Sequence, residues 1–175
     1  WKNFLSKLSD ERIRQAENSL KEMFEVETLG GMKFLDVGSG SGLFSLAARN
    51  LGAEVVSFDY DESSVWCTSE LKSRYYKECT KWNVMHGSVL DKEFLATLGK
   101  FDIVYSWGVL HHTGDMWKAL ANVEYNVDEN GKLFIALYNW QQFFSRYWTF
   151  VKKTYNRVPL SRPFWIILHG LYPTL

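Results

Sequence analysis

Short apolar runs alternate with helical stretches from residue 33 to 138, and this alternation constrains the fold more than any other feature of the chain. Residues 33–37 (KFLDV) read as a buried strand that runs into a glycine-rich turn. Residues 43–51 have helical composition and stop at Gly52. A second strand is predicted at 54–58 (EVVSF), a helix at 63–81, a short third strand at 83–86 and a short helix at 92–98. The fourth strand, 101–105 (FDIVY), precedes a helix at 116–125 and a fifth strand at 132–138 (KLFIALY). Strands separated by helices at this spacing predict an α/β fold: a doubly wound, mostly parallel sheet covered on both faces. Ahead of it, residues 9–27 form an amphipathic helix. Ser9 or Asp10 caps it, Ile13, Ala16, Leu20, Met23 and Phe24 form its apolar stripe, and Leu29-Gly30-Gly31 breaks it.

The 175 residues suffice for a substantial core, and a 46% hydrophobic fraction excludes a disordered chain. Two cysteines, Cys67 and Cys79, exclude a disulfide-framed mini-domain, and without a CxxC they suggest no metal or redox site. Twenty basic against 20 acidic groups argues against a nucleic-acid binder. The charge is unevenly spread. Residues 140–175 hold ten aromatics, five basic residues (Arg146, Lys152, Lys153, Arg157, Arg162) and no acid, so residues 1–139 carry a net −5. The expected organisation is an acidic α/β body over 1–139 and a basic, aromatic helical tail or lid over 140–175. Lys2, Lys7 and Asp10 interrupt the start, and the apolar run at 164–168 is far short of the ~20 residues that span a bilayer. A soluble, cytoplasmic protein is expected.

Asp36-Val37-Gly38-Ser39-Gly40-Ser41-Gly42 lies between a predicted strand and a predicted helix. Glycines there let the backbone turn tightly and approach a ligand, beside the free N–H groups of a helix N-terminus. Asp59 ends the second strand, 21 residues after Gly38, where a doubly wound sheet presents a carboxylate to ribose hydroxyls. The bland alternative is that Asp59 caps the next helix, for which Asp61, Ser63 and Ser64 compete. The spacing is GxGxG rather than the GxGxxG of dinucleotide binders, and no GK[ST] follows. Asp36, inside the first strand, suits a ligand with a cationic amino-acid moiety better than a pyrophosphate.

These residues resemble the class I S-adenosylmethionine-dependent methyltransferases. Residues 34–42 are similar to the family's first motif and Val56-Ser57-Phe58-Asp59 to its second-strand acid motif. Residues 101–112, ending in His111-His112, are similar to the fourth-strand motif of the small-molecule, ubiquinone/menaquinone-methylase-like branch. The resemblance covers residues 30–139. It implies that Gly38, Ser39 and Gly40 pack on the methionine part of the cofactor, which Asp36 orients through water. Asp59 would hold the ribose, Tyr60 flank the adenine, and Ser88 and Val89 meet its edge. The family often has Asp where Ser88 stands, which shifts adenine recognition to backbone groups or Asp91. Ser106 and Trp107 would close the site near the sulfonium. Nothing after Tyr138 reads as the antiparallel hairpin that ends the complete fold.

The reaction so implied is in-line methyl transfer to a small-molecule acceptor, yielding S-adenosylhomocysteine. It requires alignment, exclusion of water and, for acceptors that lose a proton, a base. His112 and His111 are the candidates, and a loop-pinning histidine is the bland reading of either. Two adjacent histidines without other ligands predict no metal site. The chain lacks the [DN]PP[YF] stretch and the Pro-Cys nucleophile of nucleic-acid base methylases. The rival readings are a non-catalytic cofactor-binding or protein-interaction module, and a nicotinamide-dependent dehydrogenase. In the tail, Phe143, Phe144, Tyr147, Trp148 and Val151 recur at helical spacing. That pattern fits a helix packed on the sheet, or an interfacial helix that meets an apolar, lipid-like acceptor at a membrane surface.

Overall fold

The computed structural model describes residues 1–138, 142–158 and 161–170, with the side chains of 142–144 and 168–170 left aside. The predicted contribution of Phe143 and Phe144 lies outside the described side chains. The chain divides into two compact units, Trp1–Leu137 and Tyr138–Leu175.

The first unit opens with α1 (Lys2–Ser6), a short helix with no counterpart in the sequence reading, and α2 (Asp10–Phe24). Ser9 caps α2 by accepting from the Arg12 N–H at 3.4 Å. Ile13, Ala16, Leu20 and Phe24 form its buried stripe. The helix ends at Phe24 rather than running to 27, because Glu25 turns left-handed (φ 56°) and the Val26 N–H closes onto Lys21 O at 3.1 Å. The sheet elements follow as β1 (Lys33–Val37), α3 (Leu43–Asn50), β2 (Glu54–Asp59), α4 (Glu62–Tyr76), β3 (Trp82–His86), α5 (Lys92–Leu98), β4 (Phe101–Trp107), α6 (Met116–Glu124) and β5 (Val127–Ala136). A single 3₁₀ turn, Leu110–His112, joins β4 to α6.

The five strands pair in the order β3-β2-β1-β4-β5, and every pair is parallel. Two apolar clusters sandwich the sheet. One joins α2, α3 and α4 to Phe34, Val55, Ile103 and Tyr105. The other joins α5 and α6 to Leu35, Val37, Phe58 and Val104. Strands buried on both faces account for the continuous apolar runs in the sequence.

Three further boundaries differ from the sequence reading for a visible structural reason. α4 stops at Tyr76 instead of 81, which leaves Cys79 in the following turn while Cys67 stays buried on the helix; both thiols are free. β3 begins at Trp82 because that indole is buried and donates to Ser57 Oγ at 2.9 Å. β5 begins at Val127, well before 132. Asn126 holds its start through Nδ2 donated to Leu95 O and Gly99 O, both at 2.8 Å, and the register against β4 slips between the Phe101↔Val127 and Ile103↔Lys132 pairs. Among the described residues no strand follows β5, and no helix is long and apolar enough to cross a membrane.

The second unit is a helical hairpin, α7 (Gln142–Arg157) and α8 (Arg162–Gly170). Ser161 Oγ donates to Thr154 O at 3.0 Å and Arg162 Nε to Tyr155 O at 3.2 Å, which fastens the start of α8 to the last turns of α7.

Candidate functional site

All five strands end on the same edge of the sheet, and the loop from β1 to α3 crosses that edge at its centre. Gly38, Gly40 and Gly42 are left-handed there, with φ of 74°, 54° and 77°. Such angles favour glycine. At Gly38 space adds a second reason, because a Cβ would stand 2.5 Å from the Val109 side chain. Gly38 and Ser39 donate their N–H groups to Phe58 O at 2.9 and 3.1 Å, so the loop is laid against the end of β2. Gly42 opens α3 with no side-chain cap, leaving the helix N-terminus to the loop itself.

Asp59 completes that junction. Its carboxylate accepts from the Gly40 N–H and from the Asp61 N–H, each at 2.9 Å. Capping of α4 falls to Asp61 instead, which accepts from the Ser63 N–H at 3.1 Å and from both the Ser63 and Ser64 hydroxyls. Those bonds hold the Asp61 carboxyl down at about 2. Asp59 is therefore left to face the cleft.

The cleft has a volume of about 500 Å³ and lies over the ends of β1, β2 and β3. Of the residues singled out in the sequence, Gly38, Asp59, Tyr60, Ser88, Val89 and His112 line it. Val37, Phe58, Leu90 and Val109 add apolar walls that the sequence reading did not single out. Tyr60 is 75% exposed, and its carbonyl lies 2.9 Å from His86 Nε2. Ser88 Oγ accepts from the Leu90 N–H at 3.2 Å. Asp91, the alternative for adenine, is occupied as the cap of α5.

Asp36, Ser39, Gly40, Ser106 and Trp107 do not line this cleft. Asp36 is only 2% exposed and accepts from Ser45 Oγ at 2.5 Å. Ser45 Oγ accepts in turn from Ser57 Oγ at 2.7 Å, and Ser57 accepts from the Trp82 indole. This buried chain of four side chains runs from near the end of β1 to the start of β3. Its one sequence signal is Ser57, a polar residue within an otherwise apolar strand. Burial, reinforced by the charge of Asp59, pushes the Asp36 carboxyl up to about 7 despite the Ser45 bond. Ser106 is buried and donates to Val37 O at 3.1 Å.

Trp107 is half-exposed. Its ring stacks on Phe44 at 6.2 Å and on Phe134 at 5.9 Å, so the outer ends of β4 and β5 carry an aromatic slab. Tyr105 lies beneath it, with its ring stacked on Phe134 at 5.5 Å. Its buried hydroxyl has no hydrogen-bond partner, and burial raises its pKa. His111 and His112 sit on the 3₁₀ turn with ring centroids 4.0 Å apart. Burial and the neighbouring His112 lower the pKa of His111. Trp1 was not foreseen near the site, yet its ring lies 3.7 Å from where a Cβ on Gly40 would stand. Among the described residues no cluster of three metal-ligating side chains occurs.

Comparison with known proteins places this geometry in context. The ubiquinone biosynthesis O-methyltransferase of Pelagibacter ubique is 26% identical over 132 residues, covering 73% of this chain and 52% of that protein. Its counterpart from Rhizobium johnstonii is 29% identical over 129 residues, covering 73% and 50%. The chain thus spans about half the length of the curated relatives it matches. Among solved structures, magnesium protoporphyrin IX methyltransferase from Synechocystis, with bound SAH, shares the fold at a TM-score of 0.63 and 18% identity, covering 93% of this chain and 64% of that one. The family described as a methyltransferase domain matches residues 35–133, from β1 into β5. That match takes in β2, β3 and β4, most of β1 and β5, and the whole cleft, and the chain belongs to the methyltransferase domain family.

Proposed function

We propose that the chain binds S-adenosylmethionine in the cleft and serves methyl transfer to a small, apolar, quinol-like acceptor. The observation that carries this reading is Asp59, a carboxylate free of helix-capping duty at the mouth of an apolar slot. Ribose hydroxyls donate to a carboxylate, and a planar base fits between apolar side chains, so a nucleoside suits these walls. The acceptor class rests on the ubiquinone O-methyltransferases that the chain resembles.

When bound, the cofactor supplies a methyl group on sulfonium sulfur; the acceptor atom bonds to that carbon as the sulfur–carbon bond breaks and its electron pair returns to sulfur, leaving S-adenosylhomocysteine. The chain's part is to hold and align. Asp59 fixes the ribose, Tyr60 flanks the base, and the backbone of Ser88 and Val89 borders it. Gly38–Gly40 admit the amino-acid portion, with Asp36 behind them. His112 lines the cleft beside His111, and its imidazole takes the proton that a hydroxyl acceptor loses.

Calorimetric titration with S-adenosylmethionine, S-adenosylhomocysteine and NAD tests the first part. Micromolar binding of both adenosyl ligands, with none of NAD, is expected. Preference for NAD, or no binding to any of them, overturns the assignment. Quinol-like phenols are then the acceptors to assay.

A further inference from the structure

We infer that the α7–α8 hairpin is a docking surface for an anionic lipid bilayer. The inference starts from charge. Residues 140–175 contain five Lys and Arg side chains and no acid, although the rest of the chain is acidic. It continues with the arrangement on α7. Arg146, Phe150, Lys153 and Arg157 are spaced i, i+4, i+7, i+11, which places them on one helical face, and all four are exposed. A cationic stripe with an aromatic ring at its centre suits the boundary between headgroups and acyl chains: cations meet phosphates while the ring enters the apolar layer.

α8 extends the surface with aliphatic bulk. Phe164, Ile166 and Ile167 are each about 60% exposed, a density of bare apolar side chains that a water-facing helix does not carry. Trp165 meets Phe150 edge-on at 6.2 Å, so the apolar part of the surface is continuous across the two helices. Between them lies a groove of about 320 Å³ whose lining includes Trp148, Val151, Trp165 and Ile166 together with the polar Lys152 and Asn156. Neither helix is long and apolar enough to cross a membrane, so the contact is with one face of the bilayer. A protein partner of ordinary composition offers no reason for the complete absence of acids on this unit, whereas phosphate headgroups do.

The test is co-sedimentation of the full chain with phosphatidylcholine vesicles and with vesicles that also contain phosphatidylglycerol. The chain is expected to pellet with the anionic vesicles, to stay in solution with the neutral ones, and to be released as salt is raised. The variant R146E/K153E/R157E is expected to lose at least about tenfold of that binding while its circular dichroism and cofactor titration stay those of the parent. Phe150→Ser serves as a second variant should the charge reversals disturb folding, and the salt and lipid-composition arms need no variant. Absence of sedimentation with anionic vesicles overturns the inference, as does equal binding of parent and variants. A lipid-independent dimer dissolved by the same substitutions overturns it in favour of self-association. Cofactor affinity is read separately, so failure here leaves the cofactor assignment standing.

Discussion

The backbone N–H of Gly40 donates to the carboxylate of Asp59 at 2.9 Å, tying the loop after β1 to the last residue of β2. The same carboxylate accepts from Asp61 at the start of the next turn. Asp59 is thus both a wall of the cleft and the clasp that keeps the glycine loop in place.

Asp59→Ala removes the proposed ribose acceptor and the clasp together. Cofactor affinity is expected to fall by about 1–3 kcal/mol, roughly fivefold to 150-fold, as measured by calorimetry. Asp59→Asn keeps one carbonyl oxygen for Gly40 and is expected to lose less. Unchanged affinity in the alanine variant removes Asp59 from the site.

Gly38→Ala meets two obstacles, a φ of 74° and a Val109 side chain 2.5 Å from the new methyl group. Urea denaturation is expected to show a loss of about 2–4 kcal/mol, strain and overpacking combined. Adding Val109→Ala relieves the clash but not the backbone strain, so the double variant recovers part of the loss. Full recovery assigns the whole effect to packing.

Asp36 makes stability depend on pH. Its carboxyl is raised from 3.8 to about 7 in the fold. The native state therefore binds the proton more tightly than the unfolded chain. This contribution is fully present below pH 3.8 and is lost as pH rises through 7. Such a shift corresponds to at most about 4 kcal/mol. Asp36→Asn, which cannot ionise, is expected to be more stable than the parent at pH 8, with the gain shrinking toward pH 4. Thermal denaturation across that range checks it, and a gain independent of pH contradicts the burial of the charge.

His112→Ala is expected to lower kcat by about 10²–10⁴-fold on an acceptor that must lose a proton, with a smaller change in cofactor affinity. An acceptor whose nucleophile carries no acidic proton should be methylated at the parental rate. Equal loss on both acceptors makes His112 a residue that shapes the loop.

Much of this was legible in the chain itself. β1, β2 and β4 are apolar runs bounded by glycine or charge, and they stand where the pattern put them because both faces are buried. Of the alternating glycines and the acid after β2, Gly38 and Asp59 line the cleft. The Gly38–Val109 contact was not legible, because it joins residues 71 apart that only the pairing of β1 with β4 brings together. Nor was the bonding of Ser45 to Ser57 and Asp36, since each serine alone reads as a small buried side chain. The early start of β5 depends on Asn126 satisfying two carbonyls of the α5 end, a tertiary reason with no periodicity.

The strand order β3-β2-β1-β4-β5 puts β1 at the middle of the sheet, with β2 and β3 on one side and β4 and β5 on the other. A nascent chain emerging from the ribosome can therefore build outward from β1, adding β2 and β3 on one side before β4 exists. The Asp59 clasp on the glycine loop belongs to that early half. Gly38 acquires its Val109 neighbour only after β4 has been inserted on the other side, and until then the second wall of the cleft is missing. Arrested chains ending near residue 90 should hold the loop yet bind cofactor poorly, which makes ligand capture a late event in the biogenesis of this fold.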